Sequence, residues 1–175
     1  MTTNYISDLG AGPNGSDIVF NIGVIIAGIF YIPFYVYIGR YLQKKSDNIN
    51  FIKKGMIAGI IAAIAHIFIG IFPLSSENQF SNNMHGLVAL ILFINAAIMA
   101  FIYGVSEHRN VNIPLVLTIL SFCYAILDIT VIISAIIDSV ISVHIQAHTF
   151  LIEWLTLYIS LVWAIAHIFY TLEHR

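Results

Sequence analysis

Five long apolar runs, each about as long as a bilayer crossing, govern what this chain can become. They cover about residues 18–42, 55–72, 85–103, 113–137 and 147–172. A hydrocarbon core of ~30 Å takes roughly 20 apolar residues in a helix. Backbone polar groups in lipid must pair within their own segment, so helices are the economical reading. The runs are too long and too evenly apolar for barrel strands. The expected fold class is all-α: a polytopic transmembrane helical bundle of five spans, forming a single transmembrane domain over residues 1–175. Charged residues make up only 9% of the chain. A soluble domain carries about 25%, so this chain cannot cover a water-facing surface. Cys123 is the one cysteine, which excludes an intrachain disulfide and a cysteine metal knuckle. The polar opening MTTNYISDLGAGPNGSD lacks the basic start and apolar core of a cleavable signal peptide.

The stretch Arg40–Lys54 carries five of the seven Lys and Arg residues. Arg109 lies in the loop after the third run, and Arg175 ends the chain. The N-terminal tail, the loop at 73–84 and the loop at 138–146 hold none. Basic residues are retained on the cytoplasmic side of short loops. The N-terminus is therefore expected outside and the C-terminus inside, in the cytoplasmic membrane of a prokaryote. The basic loop reads as a topogenic flank that can attract anionic headgroups, and no nucleic-acid partner is expected.

Ser16 or Asp17 is placed to cap the first span, and Pro33 should kink it. Asn112 is the expected cap of the fourth span, with Pro114 in its first turn. Gly55, Gly59, Ala62, Ala63, His66 and Gly70 share one face of the second span, and Ala89, Ala96, Ala97 and Ala100 form a stripe on the third. Small residues at such spacing let helix backbones approach closely.

Ionisable groups within spans are costly and mark candidate sites. By depth, His66, His85, Asp128, His144, His148 and Glu153 collect in the outer half, below the tail residues Ser7, Asp8 and Asp17. His167 lies near the inner side. Ser121, Tyr124 and Asp128 form a polar stripe on span four. Thr149, Glu153, Thr156, Ser160, Ala164 and His167 form another on span five. The structural reading is interhelical hydrogen bonding; the functional one is a site or a proton path. His144-x-x-x-His148 places two imidazoles on one helix face, and His85 can supply a third ligand, so zinc is the possible cofactor. The tail's glycines and Pro13 make a tight turn region. Folded over the outer mouth, it would cover His66, His85, Asp128 and Glu153.

Ser81-x-x-x-His85 with the late His-x-x-x-His resembles the zinc amidohydrolases typified by alkaline ceramidases and the adiponectin-receptor/haemolysin III group. Those proteins have seven spans and an aspartate where this chain has Asn95. A fuller resemblance spans nearly the whole chain. ISDLGAGPNGSDIVFNIG (Ile6–Gly23), GIFP (Gly70–Pro73), His85 and IEW (Ile152–Trp154) with Trp163 downstream are similar to the multi-pass prokaryotic membrane family called domain of unknown function 998. That likeness implies a helical bundle with an outer SDLG loop and no defined activity. Family members usually carry a further span before that loop, which is absent here. A more distant likeness is to the Frag1/DRAM type of membrane proteins.

The leading expectation is a small non-catalytic membrane module or accessory subunit packing against lipid, a partner subunit or a second copy. The alternative is a metal-dependent hydrolase of a lipid amide or ester. There His85, His144 and His148 would hold zinc, Glu153 or Asp128 would move protons, and Ser81 would support the oxyanion. A third expectation is proton or ion passage through Asp128, Glu153, His66 and His167. No phosphate-binding loop, dinucleotide fingerprint or nucleophile elbow occurs.

Overall fold

A computed structural model describes residues 5–74, 78–141 and 146–174, with the backbone alone for 138–141 and 146–149. Among the described residues every regular element is helical. A short 3-10 turn at Ser7–Ala11 precedes α1 (Ser16–Gln43), α2 (Ile49–Ile71), α3 (Gln79–His108), α4 (Leu115–Ile141) and α5 (Gln146–Glu173). All five helices are long and apolar enough to cross a membrane.

The helix starts refine what the sequence suggests. Neither Ser16 nor Asp17 caps α1. The N-cap is Gly15, at a left-handed φ of 81°, and the Ser16 hydroxyl donates back to the Pro13 carbonyl at 2.8 Å. Asp17 stands in the first turn, where a carboxylate complements the helix dipole. Asn48 Oδ1 accepts from the Phe51 N–H at 3.1 Å, so α2 begins early and carries Lys53 and Lys54. Asn78 Oδ1 accepts from the Ser81 N–H at 3.0 Å, which starts α3 well before His85. Asn112 does not cap α4. Its N–H donates to Asn110 Oδ1 at 3.0 Å within the preceding turn, and Pro114 stands just outside the helix. Pro33 lies inside α1 without ending it; having no N–H, it deprives the Ile29 carbonyl of its helical donor.

Consecutive helices pack as antiparallel neighbours. A Cβ on Gly28 would lie 2.9 Å from the Ala63 carbonyl, and one on Gly70 would lie 2.5 Å from the Asn21 carbonyl. These glycines therefore set the distance between α1 and α2. Gly59 faces Met99 of α3 and Tyr35 of α1, so the small-residue face of α2 serves both neighbours. Helix α5 returns beside α1 and runs the same way: Phe34 meets Trp163 and Tyr41 meets Tyr170. That seam is slight compared with the antiparallel ones.

Ile, Leu, Phe and Val side chains stand exposed along all five helices. A water-soluble monomer does not carry such a surface; this one is a lipid-facing belt. Arg40, Lys44, Lys45, Lys53, Lys54 and Arg109 fall at one end of the bundle, and the 3-10 turn lies at the other.

Candidate functional site

The N-terminal segment is fastened over its end of the bundle. Asp8 Oδ2 accepts from the Tyr5 N–H at 2.8 Å and closes the 3-10 turn. Asn21 of α1 donates to the Gly10 carbonyl at 3.0 Å. Across the mouth, the Ile6 N–H donates to Glu153 Oε2 of α5 at 3.0 Å, and the Ser7 N–H and hydroxyl face the same carboxylate. The Tyr5 ring meets Phe150 edge-on at 4.2 Å. A hydrogen bond from an N–H to a carboxylate is charge-assisted and strong. One α5 side chain thus pins a segment nearly 150 residues away in sequence.

Beneath this cap lies a cavity of about 190 Å³ that all five helices line. Its walls are mostly apolar, with His66, His85, Asp128, Glu153 and Ser7 among the lining residues. Of the ionisable groups that span depth assigns to one end, His66, His85, Asp128 and Glu153 therefore share one space. His85 Nδ1 lies 2.8 Å from the Phe72 carbonyl. A carbonyl can only accept, so Nδ1 carries the hydrogen and the neutral ring keeps its lone pair on Nε2. His66 stands edge-on to the Tyr31 ring at 5.5 Å. Asp128 is 1% exposed, and its Oδ2 has no hydrogen-bond partner among the described residues.

Tyr35 and Tyr124 form the floor, both packed against Trp163. Behind them Trp163, fully buried, packs against Phe34, Tyr35, Tyr103 and Tyr124 at centroid distances of 5.7, 6.2, 6.5 and 5.7 Å. Past this aromatic layer lies a second polar group at the basic end. His167 Nε2 is 2.8 Å from Glu107 Oε1, and the Ser121 hydroxyl donates to Glu107 Oε2 at 2.8 Å. Trp163 Nε1 donates to Ser121 at 2.7 Å. Glu107, Ser121, Trp163 and His167 are all buried. Glu107 is the residue that sequence reasoning misses, because the expected third span stops at Tyr103. Its signal is the spacing 96, 100, 103, 107, which continues the alanine stripe by one turn.

The other candidates fall elsewhere. Ser81 does not line the cavity; its hydroxyl donates to the Pro73 carbonyl at 2.6 Å and ties α3 to the end of α2. Asp17 is half-buried on α1 outside the lining. His144 lies outside the described residues, and His148 is described only as backbone of α5. Among the described residues no group of three or more His, Cys, Asp or Glu side chains could hold a metal ion.

Five lipid-exposed helices around a capped, mainly apolar cavity define an integral-membrane helical bundle. The chain belongs to the family described as protein of unknown function (DUF998), whose sequence profile matches residues 1–170. Neither a curated protein nor a solved structure matches the chain.

Proposed function

We propose that this protein is a non-catalytic membrane module that binds a small, largely apolar molecule in the capped cavity. The mouth faces outward and the basic end faces the cytoplasm, in line with the retention of basic loops. The cavity itself carries this reading. A close-packed interior leaves few voids larger than a water, yet about 190 Å³ stands open beneath a fastened cap. An engineered apolar cavity of ~150 Å³ already takes up benzene. Mainly apolar walls with a few convergent polar groups are what small-molecule sites share.

The other two expectations receive less support from the geometry. For hydrolysis, the Ser81 hydroxyl expected to support the oxyanion is committed to the Pro73 carbonyl. For passage, the packed layer around Trp163 stands between the cavity and the Glu107–His167 pair.

Calorimetric titration of benzyl alcohol into the protein in nanodiscs, with empty discs as blank, tests the proposal. One saturable site per chain is expected, lost in Ala89→Phe, which puts a ring into the cavity from its half-buried wall position. Absence of saturable binding, or equal binding by the variant, overturns it.

A further inference from the structure

Resting on the cavity reading above, we infer that the ligand is a small organic ammonium ion: a protonated or methylated amine on an apolar body, its charge held by Asp128 beside the tyrosine floor. Within the described helices Glu107 and Asp128 are buried and Glu153 is half-buried, and the three differ in one respect. Glu107 has His167 and Ser121. Glu153 has the Ile6 N–H and Ser7. Asp128, among the most buried side chains of the bundle, leaves Oδ2 without a donor. A buried carboxyl without a partner is costly unless a proton or a cation neutralises it.

The surroundings select the kind of cation. Among the described residues the cavity lining contains two carboxyl side chains and no Lys or Arg, so a positive guest meets no fixed cation there. A bare metal ion would need several oxygen or nitrogen ligands together, and the described residues do not assemble three. An ammonium ion needs one carboxylate and the faces of aromatic rings within about 6 Å. Tyr31 and Tyr35 stack at 5.4 Å, and with Tyr124 they line the same cavity as Asp128. Asp128 follows Tyr124 by four residues on α4 and so shares its helix face. The alanines of α2 and α3 leave the opposite wall smooth for an apolar body.

The test compares two probes of nearly equal shape on the full chain in nanodiscs at neutral pH: benzylamine, which is then protonated, and benzyl alcohol, which is uncharged. Wild type is expected to bind benzylamine at least ~10-fold more tightly, by the added charge–carboxylate and cation–ring attraction. Asp128→Asn should erase that preference, and saturable binding of benzyl alcohol by the variant, at whatever strength, shows that the cavity remains folded. If wild type binds both probes equally, or only the alcohol, the ammonium assignment falls and Asp128 holds a proton only; the cavity reading then stands. If Asp128→Asn keeps the preference, the assignment to this carboxylate falls. If neither probe binds, both readings fall.

Discussion

Replacing His167 by leucine removes one partner of a buried acid. Glu107 is 1% exposed and has two hydrogen-bond partners, His167 Nε2 and the Ser121 hydroxyl, each at 2.8 Å. An ordinary side-chain hydrogen bond between membrane helices contributes ~0.6 kcal/mol on average. Breaking one side of a buried charged pair costs ~3–5 kcal/mol, because the remaining group stays buried and uncompensated. Ser121 still serves one oxygen, so His167→Leu should cost about 3 kcal/mol, the lower end of that range. The paired variant Glu107→Leu/His167→Leu removes the stranded acid and should recover most of the loss, since apolar replacement of a whole buried pair is often neutral. Reversible unfolding of the purified protein in mixed micelles, followed by circular dichroism against the fraction of denaturing detergent, measures both. A loss below ~1 kcal/mol for the single variant would mean the pair is worth no more than an ordinary hydrogen bond. A double variant as unstable as the two singles added together would show that the two side chains act independently. Either result refutes the reasoning.

Glu153→Leu should release the cap: hydrogen bonds to a charged group contribute ~1.5–3 kcal/mol, so exchange of the Ile6 and Ser7 amides should quicken at least ~10-fold, and unchanged protection would show that Glu153 does not hold the segment. Gly70→Ala should destabilise by ~1–3 kcal/mol through overpacking, because the new Cβ would lie 2.5 Å from the Asn21 carbonyl. Gly23→Ala meets nothing within 4 Å and should be neutral or gain up to ~1 kcal/mol of helix propensity; the same unfolding measurement separates the two, and equal effects would contradict the packing. Val111→Cys, on a Cys123→Ser background, should react with an impermeant maleimide only after cells are opened, since Val111 is exposed beside Arg109 at the basic end. Labelling of intact cells would invert the orientation.

The number of helices and their alternation were legible because lipid permits few other solutions for such apolar runs. The gathering of His66, His85, Asp128 and Glu153 followed from depth alone: alternating spans bring residues of equal depth to the same end. The glycine contacts of α2 were visible as small-residue spacing. Glu107 was not, because Ser106-Glu107-His108-Arg109 reads as a polar loop until α3 is known to continue through it. The start of α3 was hidden likewise: Asn78 acts as a cap only through a bond to Ser81 that the apolar pattern does not contain. Nor does local sequence pair Ile6 with Glu153, since that contact depends on α5 returning beside α1. The vacant oxygen of Asp128 belongs to the same class, for the absence of a neighbour is a property of three-dimensional packing.

The Trp163 layer has a mechanical consequence. If the cavity holds a ligand as proposed, the rings packed around Trp163 would make the bundle a cup and not a pipe, with its contents exchanged on one side of the membrane only. Whatever the cup holds, news of its filling would have to cross as small shifts of Trp163, whose indole touches the cup's base with its ring and Ser121 with its nitrogen.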